Sequence, residues 1–333
     1  MDKLTKIGVS ALCGSLAAVS AANAGELTVK GGATATWTSL ESQTTGNPIG
    51  LSSGMTFTGS GELDNGTTFA LTLTNTDQSA YSGGNIAITT PSMGKFTIGQ
   101  SGGGVDRFDD MMPTAWEETN GTGLATGLAT VAGAGAATNV EWASPADMLG
   151  DGLSVFVAVT PTPTGGAIND KAVGGDSAGK GAGYDVAFSH TGLADGLNVF
   201  GGISQLDQAA GYGGDRSQKV LGATYAVGSV TLGYQTSIDN NIALAESGVS
   251  YYENNAYGVS FAVNDDLSLS YGVHKSDKKL NNGTVTALDG SSIQIAYSMG
   301  GMSLKLAETS VKNGKYNTAN DLDATTLAMT LAF

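Results

Sequence analysis

Asp106, Asp109, Asp110, Glu117 and Glu118 crowd one stretch of the chain, and Arg107 is the only cation between residues 101 and 138. Clustered carboxylates suit hard cations, so Asp106, Asp109 and Asp110 could hold a calcium ion, although their spacing is not that of an EF-hand. Without a bound ion, the same acids would make a negative potential. It would be strongest in a narrow water-filled space between low-dielectric walls, where it attracts cations and slows anions. A solvated surface loop is the plainer alternative for such a charge run.

Other chemistry finds little support. The two histidines, His190 and His274, come with no assignable Ser-His-acid arrangement, and His274 reads more simply as a residue facing an aqueous lumen. The single cysteine, Cys13, lies in the N-terminal apolar stretch, so His/Cys metal sites lack ligands. Gly102-Gly103-Gly104-Val105-Asp106 does not repeat and lacks the internal glycine spacing of a calcium-binding nonapeptide. No Lys follows the glycine run as a phosphate loop requires. No catalytic residues are assigned, and the chain is not read as an enzyme.

The elements around the acidic stretch must position it. On both sides the sequence alternates apolar and polar residues in segments separated by Gly, Asn and Asp, the pattern of short strands and tight turns. Residues 101–138 do not alternate. A structureless connection that long is unusual in a compact domain and points to function. Period two opens with Glu26–Leu40 and continues through Met55–Leu63 and Thr67–Thr76, joined by Asp64-Asn65-Gly66, a tight-turn sequence. Gly84–Thr90 and Lys95–Gln100 precede the acidic stretch, which carries one helical turn near Met111–Glu118. The pattern resumes at Thr138 and ends with Leu327, Met329, Leu331 and Phe333. The count is about sixteen strands, with long connections alternating with short turns. The reading is all-β: a transmembrane antiparallel β-barrel with residues 101–138 folded inward as a constriction loop.

Composition agrees. Charged residues are only 14% and hydrophobic residues only 41% of 333, with 50 Gly. That is too little charge for an ordinary soluble surface. Past residue 25 no segment approaches the ~20 apolar residues of a spanning helix. Residues 1–24 read as a secretory signal peptide: Lys3 and Lys6, the apolar run Ile7–Ala22, then Ala22-Asn23-Ala24 as cleavage site. Residues 25–333 form the barrel. With Asp2, Lys3 and Lys6 removed, 30 acidic and 15 basic residues become 29 and 13, a net charge of −16. Such a chain is a poor partner for nucleic acid, whose phosphates need Lys and Arg. Strand parity puts Lys30, Lys95 and Lys305 on the polar, lumen-side face, as candidate basic counterparts of the loop acids. Phe156 and Phe200 are the few aromatics on that face, which counts against a channel with a dedicated aromatic binding track. A structural or adhesive surface protein would need repetitive loops, and none repeats.

The opening Glu26-Leu-Thr-Val-Lys-Gly-Gly, the strand end Thr97-Ile-Gly-Gln followed by Gly-Val-Asp-Arg-Phe-Asp-Asp, and the terminal Phe333 together resemble the general diffusion porins of Gram-negative bacteria. The resemblance covers essentially all of residues 25–333. It implies a sixteen-stranded outer-membrane barrel, usually a homotrimer, whose third external loop narrows a passage for small hydrophilic solutes and ions. It implies acidic loop residues facing a basic wall, with calcium sometimes bound, although Arg is scarce here and no basic cluster is evident in strands two and three. It also implies that Met329, Leu331 and Phe333 form a C-terminal signal for the barrel-assembly machinery, and that outer-membrane lipids and lipopolysaccharide surround the wall. No cofactor beyond that calcium is expected.

Overall fold

A computed structural model describes residues 25–41, 44–77, 79–99, 102–119, 124, 126–145, 148–150, 152–163, 181–208, 211–241 and 243–332. The expected signal peptide and Phe333 lie outside the described residues.

Among the described residues sixteen strands run in sequence order. They are β1 (Leu27–Leu40), β2 (Ile49–Glu62), β3 (Thr68–Thr76), β4 (Ser79–Thr90), β5 (Gly94–Gly99), β6 (Asn139–Ala143), β7 (Leu153–Thr160) and β8 (Gly183–His190). They continue as β9 (Leu197–Leu206), β10 (Arg216–Val227), β11 (Val230–Asn240), β12 (Val249–Ala262), β13 (Leu267–Leu280), β14 (Val285–Met299), β15 (Met302–Lys312) and β16 (Leu322–Ala332). Each pairs antiparallel with its sequence neighbour, and β1 pairs with β16 from Gly32↔Ala332 to Leu40↔Ala324, closing the barrel. Closure leaves no sheet edge, so every strand can satisfy its backbone in lipid.

The strand count and order match the reading of the sequence. Two strands begin earlier than expected: β2 at Ile49 instead of Met55, and β4 at Ser79 instead of Gly84. The added residues are Gly- and Ser-rich, so they carry backbone pairing with little alternation to announce it. The helical turn expected near Met111–Glu118 is absent; short 3-10 turns occur instead at Gly104–Phe108 and Gly133–Ala136.

The usual distribution of burial is inverted. The large apolar side chains lie outside: Leu269 and Tyr271 on β13, Ile293 and Ile295 on β14, Leu304 and Leu306 on β15, and Leu327, Met329 and Leu331 on β16 are all exposed. Alternate positions face inward, among them Ser270, Gln294 and Thr326, which are buried. This fits a wall with lipid outside and water inside. Exposed tyrosines share this outer face. Tyr234 and Tyr257 face each other across β11 and β12 with ring centroids 5.1 Å apart, and the Tyr234 hydroxyl donates to Asn255 Oδ1 at 3.1 Å. Amphipathic rings of this kind sit at membrane interfaces.

Leu306 lies inside the band, opposite Ile295 and Leu327. Leu306→Arg should cost about 2–4 kcal/mol if the residue sits near the bilayer midplane. Urea unfolding in lipid vesicles reads this directly, and an unchanged midpoint would place Leu306 away from lipid.

Candidate functional site: the inward loop and its wall

Residues 102–138 leave β5 and return to β6, and the described part lies against the inner wall. Side chains from successive strands capture its backbone. On β6, Glu141 Oε2 accepts the Gly104 amide at 2.6 Å. On β8, Asp185 accepts the amides of Val105 and Ala134, each at 3.0 Å. On β10, Gln218 Oε1 accepts those of Ala132 at 3.1 Å and Gly133 at 2.6 Å. On β11, Gln235 accepts the Met111 amide at 3.1 Å and donates to the Phe108 and Asp109 carbonyls, both at 2.9 Å. Asn254 on β12 donates to the Ala129 carbonyl, and Ser270 on β13 accepts the Ala115 amide. On β14, Gln294 accepts the amides of Trp116 and Glu117 and returns a hydrogen bond to the Glu117 carbonyl. A glutamine side chain offers both a donor and an acceptor, so it can satisfy a loop backbone as a neighbouring strand would.

Apolar contacts fill the space between. Val105, Phe108 and Val131 of the loop pack on Ala187, Phe200 and Val220 of the wall. Phe108 and Phe200 stack with centroids 5.0 Å apart. The close approach dictates glycine at two points. Gly104 and Gly133 have φ of +56° and +52°, and a Cβ on them would lie 2.0 and 2.4 Å from Asp185 Oδ2. No other residue combines that backbone with that space.

The predicted site residues fall into distinct places. Asp106, Arg107, Asp109 and Asp110 are half-buried, and Glu117 and Glu118 are exposed. Arg107 does not pair with an acid of its own loop. Its guanidinium binds Glu141 on β6 and lies 3.7 Å over the Phe156 ring. Asp110 turns toward the wall, where its Oδ2 is 3.7 Å from His274 Nδ1 and both side chains are buried. Asp109 Oδ1 accepts the Asp110 amide, and Asp110 Oδ1 accepts the Met112 amide. Their carboxylates are therefore partly engaged by backbone, and among the described residues no three His, Cys, Asp or Glu side chains are grouped to hold a metal ion. The calcium expectation finds no assembled ligand set.

Of the three lysines, Lys305 is the one that approaches the described part of the loop. Its ammonium donates to Thr330 Oγ1 at 3.2 Å and lies 5.7 Å from the Trp116 ring centroid. Lys30 pairs in register with Thr56, and Lys95 with Thr89 and Ala143, both exposed on the lumen row near the short-turn end. The wall of β1–β4 and β16 is lined with hydroxyls. Thr34 and Thr330 are 3.0 Å apart and Thr38 and Thr326 are 3.2 Å apart, in line with Thr56, Thr58, Thr72 and Thr74 on β2 and β3. Phe200, placed on the lumen face by parity, is covered by Phe108 and does not line open water.

Enclosure raises Asp106, Asp109, Glu117 and Glu118. Asp106 is pushed up to about 6, first by loss of water and then by Asp109 and Asp185. Glu118 touches lumen water, yet protein surrounds it; this desolvation, with Asp109, Asp110 and Glu117 adding like charge, pushes it up to about 7. Burial also raises Asp109, and it raises Glu117 against the opposing pull of Lys305.

Glu141, Asp185, Gln218, Gln235 and Gln294 escaped the sequence reading as site residues. Their one signal was size: long polar side chains at lumen parity, where Thr, Ser and Gly are the rule. Arg107 supplies a direct test of the arrangement. Arg107→Gln leaves Glu141 uncompensated, so the cation-to-anion permeability ratio should rise. A ratio unchanged in bilayer reversal potentials would mean that the pair lies off the ion path.

A closed, lipid-faced barrel with a polar loop stapled across its interior is a channel wall of the bacterial outer membrane. The sequence matches the Gram-negative porin family over residues 8–333, and the chain belongs to that family. It is an outer-membrane channel of a Gram-negative bacterium, with the family and fold of porins. No curated relative matches the sequence. Similar solved structures include OmpF of Salmonella typhi in complex with daunomycin, at 14% identity, TM-score 0.69, covering 93% of this chain and 98% of that one. The trimer form of OmpT, an outer membrane protein of Vibrio cholerae, gives 13%, 0.67, 93% and 100%. An anion-selective porin from Comamonas acidovorans gives 12%, 0.66, 92% and 99%. At these identities the likeness concerns the fold.

Proposed function

We propose that the chain forms a water-filled, cation-preferring pore for passive diffusion of small hydrophilic solutes and ions. The observation that carries this reading is an imbalance. Asp106, Asp109, Glu117 and Glu118 project from the loop, while the facing wall offers hydroxyls and Lys305 is the one lysine of the three candidates near them. Fixed charge in a narrow aqueous path with low-dielectric walls selects ions by sign. A substrate-specific channel gains no support, since Phe156 lies under Arg107 and Phe200 under Phe108. The likeness to the trimer form of an outer membrane protein supports a homotrimer. Met329 and Leu331, exposed on the lipid face, suit recognition with Phe333 by the assembly machinery, and the same apolar wall suits outer-membrane lipid and lipopolysaccharide.

Planar-bilayer recording in a salt gradient tests the proposal. Stepwise conductance with a reversal potential of the cation-selective sign is expected. A potential of the opposite sign would overturn the preference, and inserted protein without conductance would overturn the pore.

A further inference from the structure

A concave groove of about 570 Å³ opens on the outside of the barrel, across β8–β12. Most of its lining residues belong to the outward set. Ile203 and Leu221 are half exposed there, whereas Asp185, Ser204 and Gln218 of the same strands are buried on the inner face. Gly201 helps make the hollow: Phe188 and Leu221 each come within 3.2 Å of the place its Cβ would occupy. The body of the groove is therefore apolar.

Its rim is charged. Lys219 on β10 pairs in register with Ile238 on β11, which pairs with Glu253 on β12. The acid and the base thus stand two strand spacings apart, about 10 Å between backbones. Both are exposed, and among the described residues neither joins an ion pair. Arg216 and Val249 open β10 and β12 at the end bearing the long loops, which places this rim on the outer-leaflet side. Charges are costly on a lipid-facing strand unless they reach the interface. An unpaired base and an unpaired acid that jointly border an apolar hollow at that level complement a head group with both signs.

We propose that this groove binds an outer-leaflet lipid whose head carries a phosphate and a primary ammonium. Lys219 receives the phosphate, Glu253 the ammonium, and an acyl chain lies over Ile203 and Leu221. A head with phosphate alone would meet repulsion from Glu253. That asymmetry separates this occupant from a purely anionic lipid.

The test titrates the full-length barrel in non-ionic detergent with phosphatidylethanolamine or phosphatidylglycerol and counts retained lipid by native mass spectrometry. One phosphatidylethanolamine per protomer is expected, with phosphatidylglycerol about tenfold weaker, a difference of about 1.4 kcal/mol. Lys219→Gln should weaken both lipids, Glu253→Gln should erase the preference, and Thr236→Trp should block the groove. All these positions face away from the lumen, so unchanged bilayer conductance shows that each variant is folded. Equal retention of the two lipids by the wild type would overturn the head-group assignment. Phosphatidylethanolamine binding indifferent to Lys219→Gln and Thr236→Trp would overturn the site.

Discussion

Neutralising Asp106, Asp109, Glu117 and Glu118 together, as Asn and Gln, should move the reversal potential in an about tenfold KCl gradient at least roughly half-way to zero, because in the proposed pore these are the fixed charges nearest the passage. Acid should do the same without mutation. Glu118 lies at about 7 and Asp106 at about 6, both above the ordinary carboxyl range. A raised carboxyl takes up its proton earlier as the pH falls, so these two lose their charge between about pH 8 and about pH 5, a range in which an unperturbed carboxylate stays mostly ionised. Cation preference should therefore decline in two overlapping steps as the pH is lowered. In the quadruple variant these steps should vanish. A flat pH profile in the wild type would mean that ions pass clear of Glu118 and Asp106.

The second large effect concerns the loop's hold on the wall. Asp185 is fully buried on β8 and ties together the two ends of the loop, at Val105 and Ala134. Asp185→Ala would leave both amides without partners, at about 1–3 kcal/mol for each buried orphan. The glycines at 104 and 133 fit closely against that carboxylate, so a cavity forms as well. The barrel's own ladders are untouched. The expected result is a folded channel with a loosened loop: higher and noisier single-channel conductance, and faster proteolysis between β5 and β6. Asp185→Asn keeps one acceptor and should fall between. Quiet recordings at wild-type conductance would show that Asp185 is dispensable for holding the loop.

Much of this fold could be read from the chain because the strands alternate so cleanly. Lipid and water on opposite faces enforce period two, as on β13, where Leu267, Leu269, Tyr271 and Val273 interleave with Ser268, Ser270, Gly272 and His274. Strand beginnings were less legible. At Ile49–Gly54 and Ser79–Gly83 glycine and serine take both faces, and hydrogen bonding to the adjoining strand is what makes them strand. The loop's place between β5 and β6 followed from its break in rhythm, but its partners did not. Arg107 finds Glu141 34 residues later, and Trp116 finds Gln294 178 residues away, pairings set by barrel register instead of sequence spacing. Parity put Lys30, Lys95 and Lys305 on one face. It could not reveal that Lys305 comes near the described part of the loop.

The loop's partners also imply an order of events. Gly104 is held by β6, Val105 by β8, Met111 by β11, Trp116 by β14, and Ala129 by Tyr316 beyond β15, at 187 positions' remove in the chain. Contacts so distant in sequence form late. Nearly the whole wall must stand before residues 102–138 have anything to rest on. The passage should therefore be born wide and narrow last, and an assembly intermediate stalled before β14 would leak solutes that the finished channel turns away.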